Sequence, residues 1–294
     1  TMKSQADYQG QRERTQDRGA PGGRGPGGKG PGGRGPGGNA PRKGPGGGKG
    51  AAPKATGGDG GNSAMAAALA LVVGGAHFND LRYALTADYT AGTGAAETVT
   101  LADGSRLVLN AGAAVSVDFS PGERHVTLLR GDAYFEVTPD PERPFEVAAD
   151  GAVARVVGTA FGVSISPDGT GVAVREGRVA VSGDRDPDHR VDLRAGRMVT
   201  VAGGRPGVAR TVDVDQSLAW LDGRLIFENW PLARVVAALD KYHAGVVVLA
   251  SERVRDYRVS GNYRVDDPPT VIRELARLSG AEVIEATDYL MVLR

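Results

Sequence analysis

Cysteine is absent from this chain of 294 residues, and aromatic residues make up only 5% of it. The lack of cysteine excludes a disulfide framework, a thiolate metal site, a cysteine nucleophile and an iron–sulfur cluster. It leaves the compartment open, because an oxidising space permits disulfides without requiring them. Net charge is also missing, since 35 Lys and Arg balance 35 Asp and Glu. Whole-chain charge therefore points to no acidic or basic partner.

Sequence patterns of catalytic sites are also missing. The chain has no Gly-x-Ser-x-Gly elbow, no phosphate-binding loop and no dinucleotide fingerprint between a strand and a helix. The histidines His77, His125, His189 and His243 are scattered and do not have the spacing of zinc ligands. We therefore predict a protein that is not an enzyme, with no catalytic, cofactor-binding or metal-binding residues.

One acidic cluster resembles a calcium loop. Asp184, Asp186 and Asp188 stand at alternate positions beside His189, and alternate carboxylates can bind calcium. Arginine and proline interrupt the cluster, however, and no glycine follows at the turning position of such a loop. We predict an exposed hairpin loop here.

The first 63 residues are rich in glycine and proline. Residues 20–39 repeat the unit Pro-Gly-Gly-Arg/Lys-Gly, which cannot pack, because Gly and Pro oppose regular structure and apolar side chains are nearly absent. Arg and Gly mixtures can bind nucleic acid through charge, but stacking needs aromatics, and Tyr8 is the only one before Phe78. We predict a disordered segment, 1–63, with no nucleic-acid partner. It is either a native tail or a reading-frame artefact, since a GC-rich gene read out of frame gives this composition.

A single uncharged apolar run follows at residues 64–76. At about 1.5 Å per residue it covers roughly 20 Å of a bilayer core of about 30 Å. A short transmembrane helix, a signal-peptide core and a buried helix are the three interpretations. We favour a transmembrane helix at 64–78, because a signal peptide normally has a short basic lead. The excess of Lys and Arg before it predicts a single-pass inner-membrane protein with a cytoplasmic N-terminus and C-terminal domains in the periplasm.

From residue 97 the pattern changes to short alternating strands separated by turns. Asp103-Gly104 between two apolar segments indicates a tight hairpin. Many short strands without a helical period favour a β-sandwich or β-roll, which we place at 79–205. The predicted strands are 98–101, 106–109, 115–119, 126–130, 134–138, 145–149, 153–157, 161–166, 171–175, 179–182, 191–193 and 198–201.

Several motifs in this region occur together and in order. They are Thr98-Val-Thr-Leu-Ala-Asp-Gly-Ser105, Leu107-Val-Leu-Asn110, Leu128-Leu-Arg-Gly-Asp-Ala-Tyr-Phe-Glu-Val137, Arg143-Pro-Phe-Glu-Val147 and Val157-Gly-Thr-Ala-Phe161. The chain from about residue 88 to its end resembles the FecR family of transmembrane sigma-factor regulators, whose FecR domain is periplasmic. Within this region we predict that Phe135, Phe145 and Phe161 are core residues. Gly131, Gly158 and Gly177 are predicted to lie in turns.

A second unit, 220–294, follows a predicted linker at 206–219. Asn229 and Pro231 suggest a helix start, and Asp267 with Pro268 suggests another. The alternating pattern predicts a small α+β domain of order βαββαββ, which resembles the signalling domain of secretins and TonB-dependent receptors. Open strand edges accept a partner's strand. The predicted partner-binding residues are Val246, Val248, Tyr257, Val259 and Tyr263.

The resemblance implies a relay that receives a contact from an outer-membrane TonB-dependent receptor and controls a cytoplasmic sigma factor, typically for iron or other nutrient uptake. In the family a helical cytoplasmic region holds the sigma factor, and residues 1–63 show no such pattern. The alternative is a periplasmic ligand-binding or glycan-binding module, tethered or secreted, without anti-sigma activity.

Overall fold

The computed structural model describes residue 83, residues 85–287 and residues 289–294. The predicted disordered segment 1–63 and the predicted transmembrane helix 64–78 lie outside these residues. In the part of the chain that is described, no helix is both long enough and apolar enough to cross a membrane. Strands outnumber helices throughout that part, which confirms the mostly β fold class.

The first lobe is a two-sheet β-sandwich, which we call the FecR-like lobe. One sheet has the strand order β1-β4-β5-β7-β8-β11-β12, and the other has β14-β13-β10-β9-β6-β3-β2, with β15 also paired to β13. The strands are β1 (Tyr89–Thr90), β2 (Glu97–Thr100), β3 (Arg106–Leu109), β4 (Ala114–Phe119), β5 (Arg124–Arg130), β6 (Asp132–Glu136), β7 (Phe145–Ala149), β8 (Ala152–Val156), β9 (Ala160–Ser166), β10 (Gly169–Glu176), β11 (Arg178–Gly183), β12 (Asp186–Arg194), β13 (Arg197–Ala202), β14 (Arg205–Pro206) and β15 (Arg210–Thr211).

The core of this lobe lies between the two sheets. Phe135 and Phe161 from one sheet pack with Phe145 from the other, and each is at most 1% exposed. Phe135 stacks on Phe161 with ring centroids 5.2 Å apart, and it meets Phe145 edge to face at 6.1 Å. Alternate residues of each strand point inward, as the two-residue period of a strand requires. Phe135, Phe145 and Phe161 of the family-like motifs are thus core residues, as predicted.

The turns follow the sequence pattern closely, with one exception. At Asp103-Gly104 the chain reverses between β2 and β3, and Gly104 has a φ of +83°. The predicted loop around Asp184 is shorter than expected, because β12 already begins at Asp186. β12 is the last strand of its sheet, and an edge strand tolerates Pro187, whose missing N–H can face solvent.

A buried arginine fixes the loops at one end of the sandwich. Arg124 is 1% exposed, and its guanidinium lies 2.7 Å from the Oδ2 atom of Asp103. It also donates to the carbonyl oxygens of Thr138 and Arg143 at 2.9 and 2.8 Å. Burial raises the pKa of Asp103, but hydrogen bonds from Ser105 and the charge of Arg124 outweigh burial and leave this pKa below its ordinary value.

The C-terminal lobe follows a short connection. Strand β16 pairs antiparallel with β18, and the three-stranded sheet β17-β20-β19 is separate. Apart from the short helix α3, the order is the predicted βαββαββ. The elements are α1 (Val214–Ser217), a 3-10 turn (Ala219–Asp222), β16 (Arg224–Pro231), α2 (Leu232–Asp240), β17 (Val246–Leu249), α3 (Glu252–Arg255), β18 (Arg258–Arg264), α4 (Pro268–Ser279), β19 (Val283–Thr287) and β20 (Leu290–Leu293).

Helix starts in this lobe were predicted with mixed success. Asp267 caps α4 by accepting from the amide of Thr270 at 3.2 Å, with Pro268 in the first turn, as expected. Asn229 does not cap α2. Its φ is +53°, it lies where the register of β16 shifts, and Pro231 occupies the N-cap position. The strand continues two residues beyond Asn229 because β18 pairs with it up to Pro231.

The segment predicted as a linker, 206–219, contains regular structure. β15 pairs with β13, and α1 begins after Asp213, whose side chain accepts from the amide of Gln216 at 3.1 Å. Leu218 then packs into a cluster with Tyr134 of the FecR-like lobe. This segment therefore lies against the sandwich.

We predict that Arg124→Met lowers the free energy of unfolding by about 3–5 kcal/mol, because it leaves a buried carboxylate at Asp103 without its cation. Arg106→Met is the matched control, since the Arg106–Glu136 pair is exposed and should contribute less than about 1 kcal/mol. Urea unfolding of both variants measures the difference. Equal losses of stability would contradict the structural role given to Arg124.

Candidate functional site

The predicted partner-binding residues fall on two different sheets. Val246 and Val248 lie on β17, whereas Val259 and Tyr263 lie on β18, and Tyr257 comes just before β18. Val259 is only 3% exposed, and Tyr263 packs against the core of the C-terminal lobe with its ring 5.8 Å from Phe227. Both help to hold the lobe together: Val259 is buried, and Tyr263 is partly buried.

Strand β17 has an open edge. The strand order places it at the end of its sheet, paired only with β20 among the described residues. Val246 donates to Tyr289 at 2.7 Å and Ala250 donates to Leu293 at 2.8 Å, so the even-numbered residues bond to β20. In a parallel pair the intervening residues point their N–H and C=O groups the other way. Val247 and Leu249 thus present both groups to the open edge.

One face of the same sheet is apolar. Val248 on β17, Val292 on β20 and Ile284 on β19 lie in register across the three strands. Val248 is 41% exposed and Ile284 is 36% exposed. Val246 and Leu290 lie on this face too, by the alternation of each strand. We call these five residues the apolar face.

The opposite face of this sheet is covered. Val247, Leu249, Met291 and Leu293 pack into a cluster with buried residues of α2 and α4. Sequence reasoning identified Val246 and Val248 but missed the members of the apolar face on β19 and β20. Their only signal was that Leu290–Leu293 is apolar at every position, which is typical of a strand with two apolar faces.

The two lobes meet at a buried polar cluster, which we call the junction cluster. Lys241, just after α2, places its Nζ atom 2.5 Å from the Oδ2 atom of Asp132 at the start of β6. Asn110 donates to the same carboxylate at 3.0 Å, and the hydroxyl of Ser164 donates to its other oxygen. Tyr242 donates its hydroxyl hydrogen to the Oδ1 atom of Asn110 at 2.6 Å. Asn110, Asp132 and Ser164 belong to the FecR-like lobe, whereas Lys241 and Tyr242 belong to the C-terminal lobe. The junction cluster therefore spans both lobes.

Gly131 sets the position of Asp132. Its φ is +84°, a conformation that side chains rarely adopt, and a Cβ there would lie 2.9 Å from the Cα of Ala113. The chain turns at this glycine from β5 in one sheet to β6 in the other. A glycine is therefore required for Asp132 to reach the junction.

Burial and pairing act in opposite directions on the junction cluster. Burial raises the pKa of Asp132, but the charge of Lys241 and the hydrogen bonds from Lys241, Ser164 and Asn110 outweigh burial and leave this pKa below its ordinary value. Burial also raises the pKa of Tyr242 above its ordinary value. At neutral pH Asp132 is a carboxylate and Tyr242 keeps the hydrogen that it donates.

An apolar patch completes the contact between the lobes. Trp220 and Leu218 pack with Val108, Tyr134 and Ala173 on the outer face of the second sheet. Gly162 leaves room for this packing, because a Cβ there would lie 2.6 Å from a methyl carbon of Leu218. The junction thus combines a buried ion pair with ordinary apolar packing.

The described residues contain no group of three or more His, Asp or Glu side chains placed to hold a metal ion. The side chains of Asp186 and His189 lie 3.5 Å apart on the exposed strand β12.

Comparison with known proteins agrees with this description. Residues 87–180 match the sequence profile of the FecR protein family. No curated protein sequence matches the chain. Two solved structures, each of a candidate anti-sigma factor from Parabacteroides distasonis, match with TM-scores of 0.61 and 0.60 and sequence identities of 25% and 26%.

Both matches cover 70% of this chain, and they cover 97% and 96% of the solved chains. They therefore extend well beyond the residues matched by the FecR profile. The matched domain together with the shared fold confirms the predicted resemblance: residues 87–180 match the FecR family, and the chain is similar in fold to candidate anti-sigma factors.

Proposed function

We propose that this protein is a single-pass regulator in the inner membrane, which relays a contact made outside the cytoplasm to a cytoplasmic sigma factor. The contact comes from the signalling domain of an outer-membrane TonB-dependent receptor. As the family resemblance implies, the genes controlled are those of iron or other nutrient uptake. The match of residues 87–180 to the FecR family and the similarity to candidate anti-sigma factors support the regulatory part of this proposal.

The observation that carries the receptor contact is the open edge of β17 beside the apolar face. A strand added to this edge would pair with the free N–H and C=O groups of Val247 and Leu249. Its outward side chains would continue the apolar row that begins at Val248, Val292 and Ile284. Main-chain pairing supplies affinity in this mode, and the side-chain row supplies specificity.

The relay requires a difference in affinity between two states of the regulator. A receptor that bound both states equally would shift no equilibrium, however tightly it bound. The FecR-like lobe connects towards the predicted transmembrane segment 64–78, and the C-terminal lobe offers the contact. A signal must therefore pass between the two lobes before it reaches the membrane.

We predict that Val248→Lys weakens binding to the signalling domain of the cognate receptor at least tenfold, because docking would bury a charge against the apolar face. Val208→Lys is the matched control: Val208 is 93% exposed and lies on the FecR-like lobe between β14 and β15. Titration against the signalling domains of the receptors encoded in the same genome measures both. In the complex, the amides of Val247 and Leu249 should become protected from hydrogen exchange.

Binding of Val248→Lys as tight as that of the unchanged chain would place the contact elsewhere. If none of the signalling domains binds the unchanged chain, while a glycan or another envelope ligand binds saturably, the periplasmic binding module becomes the better account.

We further predict that alkaline phosphatase fused after Arg294 is active in cells and that the fusion sediments with the inner membrane, because the basic segment before residues 64–78 should remain in the cytoplasm. β-Galactosidase fused at the same point should be inactive. Active β-galactosidase would contradict the proposed orientation, and a soluble periplasmic fusion would contradict the membrane tether.

A further inference from the structure

The loop from Lys241 to Gly245 joins the junction cluster to strand β17. At its beginning, Lys241 and Tyr242 belong to the junction cluster, and at its end Val246 opens strand β17. We propose that this loop is a coupling element, through which occupation of the β17 edge and closure of the junction between the lobes control one another. The inference rests on the proposed receptor contact and adds how that contact is transmitted.

The closed junction is held by few groups, and all but the partly exposed Lys241 are largely buried. Tyr242 is 7% exposed, Asn110 is 1% exposed and Asp132 is 8% exposed. A buried ion pair that loses one partner leaves an uncompensated charge, so a partly open junction is unfavourable. Such a joint favours two discrete arrangements over a gradual displacement, as a bistable element must.

The loop is short and held at both ends. Tyr242 donates its amide to Leu239 at 2.9 Å, and His243 donates its amide to Asp240 at 3.1 Å. At Gly245, a Cβ would lie 2.3 Å from the Nε2 atom of His243 and 2.9 Å from the carbonyl oxygen of Tyr289, so the backbone is closely surrounded there. Such a loop has little slack, and we expect a shift of β17 to be passed on to Lys241 and Tyr242.

One polar atom of the loop has no partner. The Nε2 atom of His243 is buried, and it has no hydrogen-bond partner among the described residues. A buried polar atom without a partner destabilises the packing around it. The loop thus contains two groups that tie it to the FecR-like lobe, Lys241 and Tyr242, and one group that weakens its local packing.

The loop also contacts the FecR-like lobe through its backbone. The carbonyl oxygen of Lys241 accepts from the amide of Gly94 at 3.2 Å, in the segment between β1 and β2. Strand β1 lies near the end of the described chain that leads towards residues 64–78. The loop that precedes the proposed receptor edge is therefore in contact with the part of the FecR-like lobe closest in sequence to the predicted membrane segment.

Hydrogen exchange on the full chain, without any receptor, tests the coupling. In Lys241→Met and Tyr242→Phe, we expect the amides of Val246 and Ala250, which bond to β20, to exchange at least tenfold faster. The amides of Leu101 and Val137, inside the FecR-like lobe, should be unchanged. Arg273→Met is the matched control: it removes an exposed pair with Glu285 in the same lobe and should change exchange less than twofold.

His243→Leu should have the opposite effect and slow exchange at Val246 and Ala250, because it removes the unpartnered nitrogen. Lys241→Met could accelerate exchange at Leu101 as well, through general unfolding, and would then not report on coupling. Tyr242→Phe is the decisive variant in that event, because it keeps the ring and loses only the hydroxyl. Unchanged exchange at Val246 and Ala250 in Tyr242→Phe would overturn the inference. Because the experiment contains no receptor, this failure is distinct from a failure of the receptor to bind.

Discussion

The ion pair between Asp132 and Lys241 is the interaction on which the rest of the structure depends. It joins residues 109 positions apart, one on each lobe, and the side chain of Asp132 is 12% exposed while that of Lys241 is 28% exposed. Partial burial strengthens the Coulomb attraction, but desolvation opposes it, and Asn110 and Ser164 add hydrogen bonds to the carboxylate. Tyr242 then ties Asn110 to the C-terminal lobe. Removal of one member affects all the others, which is why we treat the cluster as a unit and not as a sum of separate bonds.

Much of the fold follows from local sequence pattern. The Asp103-Gly104 turn, the inward Phe135, Phe145 and Phe161, and the capped start of α4 at Asp267 all obey rules that operate over a few residues. The same rules explain the errors. Asn229 has the composition of an N-cap, but pairing with β18 extends β16 past it, and this pairing depends on residues about thirty positions away. Likewise, Pro187 by itself predicts a loop. It lies in strand β12 because this strand is at the edge of its sheet.

The candidate site was less accessible to sequence reasoning. Val246 and Val248 were predicted because open strand edges of such a small domain can accept a partner's strand, whereas Ile284 and Val292 join them only through the register of β17, β20 and β19. Val259 and Tyr263 have the same alternating pattern as a surface strand, but they face the core of the lobe. The junction cluster leaves no local signal at all: Asn110, Asp132, Lys241 and Tyr242 belong to four different places in the sequence, and each looks there like an ordinary polar residue. Only tertiary structure brings them together. The role of Gly131 in positioning Asp132 also becomes visible only in the structure.

The central claim is that the two lobes act as one coupled unit, and unfolding followed by two signals tests it most directly. Both tryptophans of the chain report on the junction and the C-terminal lobe: Trp220 packs against the sandwich, and Trp230 packs on the small core. Far-ultraviolet circular dichroism reports mainly on the larger FecR-like lobe. If the lobes are coupled, tryptophan fluorescence and circular dichroism should follow the same transition in urea, and Lys241→Met should separate the two. A fluorescence transition at clearly lower urea in the unchanged chain would show that the C-terminal lobe unfolds independently and would contradict the account.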